Sequence, residues 1–234
     1  MKTKENWFLW QDSAHSPAMN MAIDETLMLH AEEIARPLVR LYEWEAKSIS
    51  FGYTQKYAKV PQDGSHLVRR PTGGGIVHHL HHFTYTVIMP NSHWIVEDTK
   101  PVESYSWLNR CIQNSLDKLT LQSELAAQDI PKSVDRAGMV CFTTPTKYDL
   151  LSADRKIAGS AQRRSKAGML HQGSIEREGI SQLTIPALRS TLPKGFEEII
   201  PCDFSEWQPD KEFMNAARQL AEEKYSTTTW NQMR

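Results

Sequence analysis

The sequence predicts an α+β fold, and three observations carry that expectation. Long segments place apolar residues at helical spacing, short β-rich runs lie between and after them, and those runs come in clusters. A doubly wound parallel sheet would instead alternate one strand with one helix. The strand clusters look antiparallel, so mixed or antiparallel sheet flanked by helices is expected. The chain has 234 residues, enough to bury a sizeable core. No internal repeat, low-complexity tract or Gly/Pro/Ser-rich linker divides it, so one domain over residues 1–234 is expected.

Ser16-Pro17 opens the first helix, because Ser can cap it and Pro suits its first position. From Ala18 to Ile34, residues Met19, Ala22, Ile23, Leu27 and Ile34 recur at helical spacing. Leu38–Tyr42 and Ser48–Tyr53 read as strands, and Leu67–Arg70 as a strand running into a glycine loop. Phe83–Met89 is the clearest strand, ended by Pro90. Val102–Leu119 reads as a second helix with Val102, Tyr105, Leu108, Ile112, Leu116 and Leu119 on one face. Between Met139 and Ile175, three strands are expected around Cys141, Leu150 and Met169, and the tail from Glu212 to Lys224 is expected to be helical.

Composition excludes several classes. With 40% hydrophobic and 24% charged residues, the chain is not collagen-like, coiled-coil or wholly disordered. Lys+Arg 27 against Asp+Glu 28 gives a net charge of -1, which argues against a nucleic-acid-coating protein. No stretch approaches the roughly 20 apolar residues of a membrane span. The segment Met1–Gln11 is charged and then aromatic, with no signal-peptide pattern. Cys111, Cys141 and Cys202 are odd in number and far apart, so no disulfide framework is expected and the reducing cytoplasm is the expected compartment.

Three segments could carry chemistry. In Arg69-Arg70-Pro71-Thr72-Gly73-Gly74-Gly75 the glycines expose backbone N–H groups to a ligand, and the arginines could hold an anionic group. Alone, this pattern is better read as a tight glycine turn with solvated arginines, and it is neither a P-loop nor a dinucleotide fingerprint. His78, His79, His81 and His82 invite a metal hypothesis, but strand neighbours point to opposite faces and no Cys or acidic ligand lies near in sequence. One buried, hydrogen-bonded histidine with the others exposed is the expected outcome, and no metal site. The third segment runs from Val140-Cys141-Phe142 to Asp149-Leu150 and on to Arg155-Lys156-Ile157-Ala158-Gly159-Ser160-Ala161-Gln162. Taken alone, Cys141 is a small core residue and Lys156 a solvated lysine. The small residues directly after Lys156 shift the balance, since they permit close approach of a backbone or ligand.

Together these segments resemble the lipoate-protein ligase and octanoyltransferase family, which is related to biotin-protein ligases. Pro17–Glu25 resembles the family's opening helix motif, Ser50–Gln55 its early strand motif, Arg69–Gly75 its lipoyl-binding signature, and Arg155–Gln162 the segment with the family lysine. Cys141-Phe-x-x-Pro-x-x-Tyr-Asp-Leu150 resembles the transferase branch, which uses a cysteine. The resemblance implies a biotin/lipoate-ligase-like catalytic domain without the accessory C-terminal domain of many ligases. It implies Cys141 and Lys156 as catalytic residues. It implies a substrate site from Arg69, Arg70, Thr72, Gly73, Gly74, Gly75, His79, Gly159, Ser160 and Ala161. Three departures stand out. Gly75 replaces a residue often basic in the matching branch, Leu80 follows His79 where the family has Asp, and His171-Gln172-Gly173-Ser174 exchanges the first two residues of Gln-His-Gly-Ser.

The implied reaction moves an octanoyl group from octanoyl-acyl carrier protein, through a Cys141 thioester, to a lysine of a lipoyl domain or glycine cleavage H-type protein. Thioester exchange is nearly isoenergetic and amide formation is downhill, so no cofactor is expected. The nucleophile must be a thiolate, which the Lys156 ammonium would favour. Backbone N–H groups at Gly159–Ala161 could hold the oxyanion, and the Gly73–Gly75 loop near Val77 could wall an apolar slot. Two alternatives remain. One is an ATP-dependent lipoate ligase, needing Mg and an adenylate pocket. The other is a non-catalytic module that docks lipoyl domains.

Overall fold

The computed structural model describes residues 4–129, 134–135 and 137–234. The chain begins with strand β1 (Glu5–His15), helix α1 (Pro17–Leu29) and the short α2 (Ala31–Ile34). Strands β2 (Leu38–Trp44), β3 (Ser48–Phe51), β4 (His66–Arg69), β5 (Val77–His78) and β6 (His82–Met89) follow. Then come α3 (Trp94–Glu97), α4 (Pro101–Asp117), β7 (Glu124–Leu125), β8 (Leu150–Ser152), β9 (Arg155–Ser165) and β10 (Gly168–Glu176). The chain ends with α5 (Ile185–Ile199), β11 (Cys202–Glu206), α6 (Lys211–Leu220) with a wide turn at Ala221–Tyr225, and α7 (Thr228–Asn231).

Eight strands form one mixed sheet in the order β11-β1-β2-β6-β10-β9-β8-β7, and β4-β3-β5 form a second. In the large sheet β1 runs parallel to both β2 and β11, while β2–β6, β6–β10, β10–β9, β9–β8 and β8–β7 are antiparallel. The expected α+β class is therefore the observed one. Helices cover both faces of the large sheet. Val39, Leu41, Val87 and Met89 pack with Leu108 and Ile112 of α4 and Leu188 and Leu192 of α5. Leu38, Ile88 and Leu170 face the other way, against Ile23 and Leu27 of α1 and Ala217 of α6. Burial on both faces explains why β6 reads as an almost continuous apolar run.

α1 begins where Ser16-Pro17 predicts: Ser16 Oγ accepts from Met19 N at 3.3 Å, and Pro17 occupies the first turn. The helix does not run unbroken to Ile34. His30 adopts φ -100°, ψ 11°, and the chain restarts as α2. In α4 the predicted face is present at Leu108, Ile112 and Leu116, but Val102, in the first turn, is exposed. No strand forms around Cys141, which lies in a turn, whereas strands form at Leu150 and Met169 as expected. Two histidines of the cluster are buried rather than one: His79 Nε2 pairs with Ser50 Oγ at 2.6 Å, and His82 Nε2 with Glu176 Oε2 at 3.0 Å.

A polar network runs through the buried layer beneath α1. Arg40, wholly buried, donates to Asp12 Oδ2, Asp24 Oδ1 and Asn20 Oδ1 at 2.7–2.8 Å. Asp24 Oδ2 also accepts from Tyr42, Thr86 and Gln172 at 2.9, 2.8 and 2.7 Å. Gln172 Oε1 in turn accepts from Thr72 Oγ1 at 2.7 Å, which ties the sheet to the glycine loop. Burial works against the Arg40 charge, but Asp24 and Asp12 outweigh it and raise its pKa. On the far side, Arg69 donates to the carbonyls of Tyr53, Gln55, Trp230 and Asn231, fastening the C-terminal helix to β4.

Asp24→Ala removes an acceptor shared by four donors and leaves Arg40 buried with one counter-ion fewer. Breaking a buried pair in this way costs about 3–5 kcal/mol. Thermal unfolding should show a midpoint lower by roughly 10 °C. An unchanged midpoint would mean that the network does not hold the sheet to α1.

Candidate active site

The position of Cys141 is set by a glycine. Gly75 lies so close to the loop carrying Cys141 that a Cβ there would meet Met139 O at 2.6 Å and Cys141 N at 2.9 Å. With no side chain in the way, Ile76 and Val140 form a parallel bridge. Ile76 N donates to Met139 O, and Cys141 N donates to Ile76 O, both at 2.8 Å. Gln55 Nε2 adds a bond to Met139 O at 3.0 Å. The half-buried cysteine is thus fixed to the glycine loop by backbone bonds rather than by a place in a sheet.

Lys156 reaches the same point from β9. Its Nζ lies 3.3 Å from Cys141 Sγ and 3.0 Å from Cys141 O. It also forms an ion pair with Asp149 Oδ2 at 2.6 Å. Gly159 makes room for this side chain, since a Cβ there would meet Lys156 Nζ at 2.6 Å. Burial opposes the ammonium charge, but the Cys141 sulfur and the Asp149 carboxylate outweigh it, and Lys156 is held above the ordinary lysine pKa. The Phe142 ring lies between Lys156 Nζ, at 5.4 Å, and the His82 ring, at 4.4 Å.

Two cavities meet at the cysteine. The inner one lies among Met21, Tyr42, Trp44, Val77, His79 and Gly173. The outer one lies among Thr54, Val102, Tyr105, Thr146, Lys147 and Tyr148. Gly74, Cys141, Ser160 and Ala161 line both. β8 pairs with β9 only as far as Ala158, so among the described residues one edge of β9 has no strand partner beyond that residue. Ser165 and Gly168 close the β9–β10 hairpin, so strand alternation directs the N–H groups of Ser160 and Gln162 away from β10, to this edge. In the inner cavity His79 stacks on Trp44 with centroids 3.8 Å apart. Burial, with His82 and Arg70 nearby, pushes the His79 pKa well down, so its ring is neutral.

Most residues singled out from sequence converge here. Cys141, Gly74, Ser160 and Ala161 line both cavities; Arg70, His79 and Gly159 line the inner one; Gly73, Gly75 and Lys156 line the outer one. Thr72 stands behind the loop, bonded to Gln172. Arg69 is not brought to the cleft, because its donors go to carbonyls at the C-terminal helix. Nor do the arginines form the expected anion clamp. Arg70 is turned onto Ser50 Oγ, Gly73 O and Gly75 O at 2.7, 3.0 and 2.8 Å, as a buried guanidinium requires. Among the described residues no group of three or more His, Cys, Asp or Glu could hold a metal ion. Three residues were not singled out from sequence: Asp149, Gln172 and Asn109, whose Oδ1 accepts from Ser160 Oγ at 3.2 Å. Asp149 carried a signal, as the acid that closes the cysteine motif; Asn109, inside a helical run, carried none.

Comparison with known proteins finds relatives over nearly the whole chain. Octanoyltransferase LipM of Bacillus cereus is 30% identical, with 97% of this chain and 98% of that protein covered. LipM of Bacillus subtilis is 29% identical, with 99% of each chain covered. Among solved structures, lipoate-protein ligase A bound with ATP superposes with a TM-score of 0.79 at 23% identity, covering 98% of this chain and 99% of that one. A bi-partite lipoate protein ligase from Thermoplasma acidophilum, described with its E2 lipoyl domain, gives 0.73 at 21%, covering 97% and 96%. At these identities the structures speak for the fold. Residues 16–182 match the lipoyl protein ligase A/B catalytic domain model, and this stretch contains the glycine loop, the cysteine and the lysine, so the chain belongs to that family.

Proposed function

We propose that this protein is an octanoyltransferase that works through a thioester on Cys141. The observation that carries the reading is the Lys156 ammonium 3.3 Å from Cys141 Sγ, at the point where two cavities meet. The full-length relatives named octanoyltransferase support the choice of acyl group. Cys141 Sγ attacks the thioester carbonyl of octanoyl-acyl carrier protein. The carbon–sulfur bond to the carrier breaks, and the carrier thiolate leaves and takes a proton. The neutral amine of an acceptor lysine, on a lipoyl domain or H-type protein, then attacks the Cys141 thioester. An amide forms, the Cys141 carbon–sulfur bond breaks, and the amine proton is released.

Lys156 stabilises negative charge on Sγ in both steps, as an ammonium within contact distance of an anion does. Ser160 N–H, on the free edge of β9, supplies an oxyanion donor, while the inner cavity takes the acyl chain. The donor is already activated, so the reaction uses neither ATP nor Mg. A reducing cytoplasm suits a nucleophile that must remain a free thiol.

Mixing with octanoyl-carrier protein should add one octanoyl mass to the intact enzyme, and adding a lipoyl domain should discharge it. Cys141→Ala should abolish both while leaving the unfolding midpoint little changed, because the residue sits on a half-buried turn. ATP-dependent lipoylation by the Cys141→Ala protein would establish the ligase instead, and failure of the wild-type protein in both octanoyl transfer and ATP-dependent lipoylation the docking module.

Lys156→Ala should slow acylation at pH 7 by at least tenfold, equivalent to about 1.4 kcal/mol of lost anion stabilisation. The deficit should shrink toward about pH 8.5, where an ordinary thiol ionises unaided. The lysine's own titration does not intrude. Its folded pKa is raised, so the charge and the stability it contributes are intact below the ordinary lysine value and are lost only as pH climbs through the raised one. A deficit constant across this range would count against a charge-stabilising role.

A further inference from the structure

Asp149 occupies a backbone position that is costly to make. The residue before it, Tyr148, has φ 70°, in the left-handed region that a bulky side chain rarely enters. Neighbours hold it there: Tyr148 N donates to Ala126 O, and Asn109 Nδ2 to Tyr148 O, each at 2.8 Å. Strain of this kind persists only where the surroundings over-determine it, and it gathers at functional sites. The result is that Asp149 folds back over its own loop. Oδ2 accepts from Thr146 N at 2.6 Å and from Thr146 Oγ1 at 2.9 Å, and the same oxygen pairs with Lys156 Nζ at 2.6 Å. Asp149 and Lys156 are both almost wholly buried, and the next contact of Nζ is the cysteine.

We propose that Asp149 is a positioning residue for the reaction: its carboxylate, fixed by the Thr146 turn, holds the Lys156 ammonium against Cys141 Sγ. This rests on the reading of Cys141 as the nucleophile. A lysine chain has four rotatable carbon–carbon bonds, so an ammonium beside sulfur alone would be poorly placed. Asp149 and Cys141 O, at 3.0 Å, fix it from two further directions. Opposing this, the negative charge of Asp149 would by itself disfavour an anion on sulfur. The two effects have opposite signs, so experiment can separate them. The other groups facing this cluster are Arg70, which interacts with Cys141 from the glycine loop, and the hydroxyls of Tyr85 and Tyr105, which lie near Asp149.

The test is the rate of Cys141 alkylation by iodoacetamide, followed by intact mass between about pH 6 and pH 9.5. Cys111 and Cys202 are buried, and burial raises their pKa, so they react slowly. Asp149→Asn keeps an acceptor for the Thr146 bonds but loses the charge. It should move the profile to higher pH, in the direction of Lys156→Ala, with about a tenfold slower reaction at pH 7. In the Lys156→Ala background the same change should no longer move the profile to higher pH; only the repulsion of Asp149 is left there, and its loss should move the profile to lower pH. With Lys156 in place, a profile moved to lower pH would mean that Asp149 only neutralises Lys156, and an unmoved profile that it only shapes the loop; either overturns the proposal. Should Asp149→Asn fail to fold, Thr146→Val removes one bond to Oδ2 and keeps the charge. A smaller shift in the same direction supports the proposal, and no shift overturns it. Alkylation needs no acyl donor, so this result stands apart from octanoyl transfer, whose failure in the wild-type protein would overturn the function and not the role of Asp149.

Discussion

Asp24 is fully buried, and its two carboxylate oxygens accept from Arg40, Tyr42, Thr86 and Gln172. The geometry near the cysteine depends on this anchorage. Gln172 passes it to Thr72, which fixes the start of the glycine loop, and Gly75 at the loop's end seats the turn of Cys141. A carboxylate in the core is expensive unless every lone pair is used, and four donors from α1's neighbouring strands meet that condition. In return the network sets one register between helix, sheet and loop. Apolar packing alone tolerates small slips, and a slip here would move the thiol relative to Lys156.

The site uses two kinds of support. Lys156 projects from β9, where it pairs with Leu151 of β8 just before the stretch Ala158–Ser165 that pairs with β10. Cys141 projects from a turn whose hold on the molecule is a short backbone bridge to the glycine loop. The strand therefore carries the charge, and the turn carries the thiol that lines both cavities. Both approaches depend on missing side chains, Gly75 on one wall and Gly159 on the other. Size and charge thus divide between the walls: bare backbone gives access, while the ion pair beneath it provides the field.

Much of the fold was legible because its signals are local. Ser16-Pro17 marks the start of α1, and the run Phe83–Met89 marks β6. Other elements are set by long-range contacts that periodicity does not report. α5 carries Pro193 and Gly195 in its interior, and Gly195 is there because α4 packs against its bare face. β9 is rich in small and charged residues, and its pairing with β10 overrides weak strand propensity. At the site, the motifs pointed to Cys141 and Lys156, since chemistry restricts residue type there. Arg69 shares the same motif but serves the C-terminal helix, a distinction no sequence pattern could draw. The face of β10 that carries Gln172 follows strand parity, so the exchange of His171 and Gln172 places the amide, not the imidazole, on the Asp24 network.

The clasp between Arg69 and the last helix bears on how the molecule acquires its shape. Residues 69 and 231 are 162 positions apart, and each completes the hydrogen bonding of the other. Closing so long a loop is entropically demanding and comes late. Until α7 arrives, the Arg69 guanidinium can keep its bonds to the Tyr53 and Gln55 carbonyls, but the donors that reach Trp230 and Asn231 have only water. During synthesis the large sheet can therefore form while the cleft is still open and unaligned. The start of the glycine loop is then among the last parts of the fold to be fastened, after the strands that carry Lys156.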